Sequence, residues 1–289
     1  MVAQQHRRRG GRAAAAVAGG AVASVMWATT GCSGGGAAAD DQAAGDPVDV
    51  MHRAADALRS AGSAKARTSM EMATGGTRVT IRGQGAYDFE KSRGRLTVML
   101  PQDPAGVDEH RPITELLAPG ALYMKNRGAG VPADKWVRID TATLSDGNLV
   151  TGGATDPLVA AELLRGARQV TYAGEEKLAG TRVRHYRGTT DIARAAARAA
   201  GKNRKVLEAA AKGFTKDTVP FDAYLDDQGR LRKIRHQFSF ANGVQGKPAT
   251  GARGEVAVAS TTLLYGFGAP VRAELPAAED IFAGKIAGG

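Results

Sequence analysis

Between Ala64 and Leu100 the chain alternates apolar and polar residues three times over, with short turn signals between the runs. Ala66, Thr68, Met70 and Met72 fall on one side of the first run, and Lys65, Arg67, Ser69 and Glu71 on the other. After Gly75-Gly76, the residues Val79, Ile81, Gly83, Gly85, Tyr87 and Phe89 share a side against Arg78, Thr80, Arg82, Gln84 and Asp88. After Lys91-Ser92, Leu96, Val98 and Leu100 line up against Arg93, Arg95 and Thr97. A period of two, sustained over runs joined by tight turns, predicts an antiparallel sheet with one dry and one wet face.

The rest of the chain adds to that sheet and interrupts it. Asp46-Pro47 supplies a helix N-cap with proline at the first helical position, and Val50, Met51, Ala54, Ala57, Leu58 and Ala61 make one apolar face that stops at Gly62. Residues 101–112 read as a loop, and Leu122–Lys125 and Trp136–Asp140 as two short strands. Asp156-Pro157 repeats the capping device for a second helix closed by Gly166. Strand patterns follow at Gln169–Ala173, Lys177–Leu178 and Arg182–Thr190, then an Ala/Lys/Arg helix over Asp191–Lys212 weakened at Gly201. Val219, Phe221, Ala223 and Leu225 alternate, Asp226-Asp227-Gln228-Gly229 turns the chain into Arg230–Phe240, and Glu255–Tyr265 is the last strand before an irregular tail. No internal repeat and no linker divides residues 46–289, which are expected to form one domain.

The N-terminus is of another kind. Arg7, Arg8, Arg9 and Arg12 precede an Ala/Val-rich stretch over 13–28, and Thr29-Thr30-Gly31 precede Cys32, the single cysteine. A basic head, a short apolar segment and small residues are the parts of a secretory signal peptide. A cysteine directly after them resembles the lipobox of bacterial lipoproteins, with Thr29 where an aliphatic residue is usual. The resemblance implies residues 1–31 as a signal peptide, a lipid attached to the Cys32 thiol, and a protein held at the extracytoplasmic face of the cell membrane. An ordinary secretory cleavage just before Cys32 is the alternative. Arg8-Arg9 raise the twin-arginine export route, but Gly10-Gly11 stand where that motif wants a hydrophobic pair. Residues 32–45, rich in Gly, Ala and Asp, read as a flexible tether. The apolar stretch is too short for a permanent span.

The first 31 residues carry four Arg and no acids, so their removal leaves 35 basic against 29 acidic residues and lowers the formal net charge from +10 to +6. That favours an anionic leaflet without pointing to nucleic acid. With Cys32 modified no thiol remains for a disulfide, and stability must come from an apolar core that about 240 residues are able to bury.

Residues that would carry catalysis or hold a metal do not converge. His52, His110, His185 and His236 have no metal-ligand spacing, and His6 lies in the signal segment. There is no serine elbow between glycines and no phosphate loop ending in Lys-Ser or Lys-Thr. Gly128-Ala129-Gly130 precedes a strand, not a helix, so it is not a dinucleotide fingerprint, and Asp226–Gly229 lacks calcium-loop spacing. No enzyme, cofactor or metal is therefore expected. The basic run Arg230, Arg232, Lys233, Arg235 and His236 reads as a solvated strand face guarded against edge pairing, with contact to anionic headgroups as the alternative.

Four further stretches carry a resemblance. They are Leu122–Lys125 with Lys135–Asp140, Gly180–Gly188, Val219–Leu231, and Tyr265–Val271. In this order, behind a lipobox and a capped helix, they resemble the LppX/LprG-type lipoproteins, which share the fold of the LolA carriers. The resemblance implies an α+β fold: a strongly curved antiparallel sheet, an unclosed barrel, with helices packed on its concave face. It further implies an apolar cavity between sheet and helices that takes acyl chains. Met70, Val79, Ile81, Tyr87, Phe89, Leu96, Val98, Val219, Phe221 and Leu225 are the candidates to line it, and small neighbours (Ala66, Gly83, Gly85, Ala223) would leave volume unfilled. The expected role is binding, and transport as its extension, of a lipid or lipoglycan by a membrane-anchored monomer. A non-enzymatic scaffold or sensor-accessory module that binds a protein partner is the alternative.

Overall fold

The computed structural model describes residues 45–74, 77–101, 111–126, 130–150, 155–214, 216–241 and 255–284. The expected signal segment, Cys32, nearly all of the expected tether, Gly75-Gly76 and most of the expected loop over 101–112 lie outside them. Within the described residues eleven strands form one antiparallel sheet. They are β1 (Ser63–Thr74), β2 (Thr77–Asp88), β3 (Arg93–Met99), β4 (Ile113–Ala118), β5 (Ala121–Lys125), β6 (Trp136–Asp140), β7 (Ala167–Leu178), β8 (Thr181–Asp191), β9 (Thr218–Leu225), β10 (Leu231–Ala241) and β11 (Glu255–Tyr265).

The order β6-β5-β4-β3-β2-β1-β11-β10-β9-β8-β7 is two meanders joined by pairing of the first strand with the last, Thr68 opposite Thr262 and Met70 opposite Ser260. The two edges, β6 and β7, do not pair, so the curved sheet stays open. The chain must pass from one edge to the other between β6 and β7, and there it carries a helix. Helices α1 (Pro47–Ser60), α2 (Pro157–Leu163), α3 (Ile192–Arg198) and α4 (Gly201–Gly213) cover the concave face. Asp46 caps α1 through Val48 N at 2.8 Å, and Asp156 caps α2 through Leu158 N and Val159 N. Met51, Ala54, Ala55 and Leu58 of α1 are fully buried, each large side chain contributing about 1.5–3 kcal/mol.

The structure departs from the sequence reading in three places. Strand β4 was not expected: Ile113, Glu115, Leu116, Leu117 and Ala118 are all buried, so no alternation marks it. Its outer face is covered because the C-terminal tail, irregular as expected, packs Ala273, Leu275 and Ile281 against Leu116, Ala118, Ala121 and Tyr123. The two patterns at Gln169–Ala173 and Lys177–Leu178 are one strand, β7, whose register slips near Arg168 and again near Ala173. Such bulges shift side chains between faces and erase the period of two. The helix over Asp191–Lys212 is broken in two, with Gly201 at φ +59 as the first residue of α4.

Candidate functional site

The inner face of the sheet is the candidate site, and ten side chains were expected to line it. The structure brings them onto that face but divides them between two clusters. Tyr87, Phe89, Leu96, Val98, Phe221 and Leu225 pack with Met51, Ala54 and Leu58 of α1 and Leu158 and Ala161 of α2. Met70 and Val219 pack instead with Ile192 and Ala195 of α3 and Leu207 and Ala210 of α4. Ile81 is half-buried and touches both clusters. Val79, opposite Met72 near the hairpin end, is half-buried as well.

These side chains are packed against helices, not arrayed around an open chamber. A void between helices and sheet, lined by Tyr87, Leu117, Asp156, Val159 and Val206, holds about 20 Å³, roughly the room for one water. The small residues serve close approach. A Cβ on Gly85 would lie 1.9 Å from the Arg95 carbonyl oxygen of the neighbouring strand, and Ala66 and Ala223 are buried in contact with the first cluster.

Along the boundary between the clusters runs a belt of polar side chains that the alternation pattern did not single out. Thr68 on β1 faces Thr262 on β11, and Ser260, two residues on, faces His236 on β10. All four are buried. Ser260 Oγ lies 2.7 Å from Thr155 Oγ1, which donates to the Leu149 carbonyl at 3.0 Å. The segment leading into α2 is thereby attached to this belt. Thr68 Oγ1, Thr262 Oγ1 and His236 Nε2 have no hydrogen-bond partner among the described residues. Burial pushes the His236 imidazole down to about 3, so it is neutral at physiological pH. Each such atom costs about 1–3 kcal/mol of unrecovered desolvation. The signal that could have found the belt was present in sequence: hydroxyls and an imidazole on positions in phase with the apolar residues.

Two further attachments hold the helices. Tyr87 donates its hydroxyl to Asp156 Oδ2 at 2.9 Å, pinning the start of α2 to β2. Between α1 and α2, buried Glu162 accepts from Arg59 Nη2 at 2.5 Å and from Arg165 Nε at 2.6 Å, while Arg165 also reaches Asp56.

The basic run of β10 is split by the fold. His236 points inward. Arg230 and Arg232 lie over the Phe267 ring at 4.3 and 5.4 Å and face the Asp226 carboxylate, leaving Lys233 and Arg235 to the outer face. Asp226 itself stabilises the expected hairpin turn by accepting from Gln228 N and Arg230 N. Among the described residues no group of three or more His, Cys, Asp or Glu is arranged to hold a metal, and no helix is long and apolar enough to cross a membrane.

No family model matches the sequence, and no curated protein matches it. Solved structures do. LppX of Mycobacterium tuberculosis superposes with a TM-score of 0.46 at 11% identity, over 79% of this chain and 98% of that one. LprF of Mycobacterium bovis gives 0.41 at 11% identity, over 80% and 97%. A LolA superfamily protein of Nitrosomonas europaea gives 0.31 at 11% identity, over 75% and 93%. The chain is similar to lipoprotein LppX, to LprF and to this LolA superfamily protein over three quarters or more of its length.

Proposed function

We propose that the protein is a membrane-anchored, extracytoplasmic lipoprotein that binds a lipid between the concave face of its sheet and the helices that cover it, without catalysis. The observation that carries this reading is the belt between the two apolar clusters, in which Thr68 Oγ1, Thr262 Oγ1 and His236 Nε2 are buried without partners among the described residues. An interior evolved only to be filled would place apolar residues there. A ligand with acyl chains and a hydrogen-bonding group would satisfy the belt and use the apolar clusters on either side of it. Each methylene buried contributes about 0.8 kcal/mol, enough for a long chain to displace helix contacts of similar area. Because these clusters are packed against the helices, uptake of an acyl chain requires the helix layer to lift from the sheet.

The test is organic extraction and mass spectrometry of protein purified from its native envelope, joined to titration of the emptied protein with a fluorescent diacyl lipid. Recovered lipid with saturable uptake supports the reading. Protein that carries no lipid and takes none up rejects it.

A further inference from the structure

On the opposite, convex side of the sheet the outward residues of neighbouring strands fall into rows. Arg95, Ala86, Lys65 and Tyr265 form one; Thr97, Gln84, Arg67, Leu263 and Lys233 the next; Met99, Arg82, Ser69, Thr261 and Arg235 a third. Six cations thus share three adjacent rows across five strands. Arg67, Arg82, Arg95 and Lys65 are exposed, and none of the six is ion-paired among the described residues. The rows run on into Asp222, which is already engaged by His185 and Arg187, and Glu71 lies one row beyond.

At the centre of these rows lies a depression of about 350 Å³, walled by Arg67, Arg82, Thr97, Met99, Thr261 and Leu263. Met99 is 49% exposed, an unusual position for a large apolar side chain. Two cations lie over aromatic rings on the same face, Arg67 over Tyr265 at 5.0 Å and Lys233 over Tyr224 at 4.6 Å.

From this arrangement we infer that the convex strip formed by β3, β2, β1, β11 and β10 docks on a bilayer surface that bears anionic headgroups. Charge complementarity selects an anionic partner. The apolar centre and the tyrosines beside the cations select a bilayer over an acidic protein or a soluble polyanion: an interface takes up an exposed methionine and amphipathic rings, whereas a polyanion gains nothing from them. The strip lies on the face away from the helices, so its occupancy leaves the concave side free. The inference stands whether or not a lipid binds there.

The experiment is co-sedimentation of the full chain with phosphatidylcholine vesicles, with and without phosphatidylglycerol. The parent is compared with Arg67→Gln/Arg82→Gln/Arg95→Gln and with a control carrying Arg53→Gln, Lys202→Gln and Lys212→Gln on the helices. The N-terminal segment is common to all three, so its own affinity cancels in the ratio of anionic to neutral partition. Each basic residue at an anionic surface is worth about a fivefold change in partition. The triple variant is therefore expected to lose about 100-fold in that ratio, the control to keep it, and added salt to collapse the parent onto the variant. Met99→Ser, which removes the apolar side chain without adding charge, should weaken binding at unchanged salt dependence. Should the triple variant fail to fold in a thermal melt, the three single variants replace it, each about fivefold down. A parent that does not distinguish the two vesicles, a variant that keeps its preference, or capture by polyglutamate with none by vesicles overturns the inference.

Discussion

The Tyr87 hydroxyl donates to Asp156 Oδ2 at 2.9 Å, and this bond joins the middle of the sheet to the capping residue of the helix that crosses it. Asp156 spends its other oxygen on Leu158 N and Val159 N. One carboxylate therefore terminates the helix and attaches it to the sheet.

Burial pushes Asp156 up from 3.8 to about 6, against the opposing pull of Tyr87 and the two backbone donors. Between those two values the folded chain holds the proton more firmly than the unfolded one, so stability falls as pH rises and levels off above about 6. The gap corresponds to on the order of 3 kcal/mol. Asp56, held below the usual carboxylate range by the Arg165 guanidinium, works the other way, losing its contribution as pH falls. Urea unfolding across this range should show the decline in the parent and its disappearance in Asp156→Asn. Parallel curves for the two proteins would show that Asp156 does not titrate there.

Glu162 is completely buried between two arginines that are themselves partly exposed. Glu162→Ala leaves both guanidinium groups facing a hole, and breaking such a pair costs about 3–5 kcal/mol. Arg59→Ala, at the wetter end, should cost about 1 kcal/mol. Chemical denaturation of the two variants checks the order, and equal losses would contradict it.

Thr68 and Thr262 carry hydroxyls without partners in the interior. Replacing either by Val keeps the shape and removes the desolvation cost, so a neutral effect or a gain of about 1 kcal/mol is expected. The same variants should weaken diacyl-lipid uptake several-fold. A loss of stability in Thr68→Val would show instead that the hydroxyl has a partner in solution.

Gly85 sits where strands β2 and β3 come so close that a methyl group meets the Arg95 carbonyl. Gly85→Ala should destabilise by at least about 2 kcal/mol, since backbone on both sides must shift. Gly229→Ala, in an open turn with nothing near its Cβ but φ +72, should cost about 1 kcal/mol from backbone strain alone. Thermal unfolding separates the two.

Cys32, the proposed lipid-attachment residue, lies outside the described residues and is tested directly. Cys32→Ala is expected to abolish processing at the lipobox or release the protein from the membrane fraction. Detergent phase partitioning and intact mass measure both outcomes, and an unchanged mass shift and partition would remove the anchor from the proposal.

Legibility followed a physical rule. Where one face of a strand is wet and the other dry, as in β1, β2, β3 and β9, the period of two marked both the strand and its inner side. The two Asp-Pro caps likewise announced α1 and α2, because capping is local chemistry. Strand β4 escaped since the C-terminal tail dries its outer face, and β7 escaped since bulges interrupt its phase. The belt of Thr68, Ser260, Thr262 and His236 escaped for another reason: a hydroxyl in phase with apolar neighbours looks like tolerance until its strand partners are known.

Residue order alone was enough for the antiparallel sheet, its dry side and its caps, all of which depend on neighbours a few positions apart. Tertiary structure decided that β1 pairs with β11, that helices fill the concave side, and that Arg67, Arg82 and Arg95 gather around Met99. Those outcomes depend on residues far apart in the chain meeting across the sheet, and the pattern within any one segment carries no information about which distant segment will lie beside it.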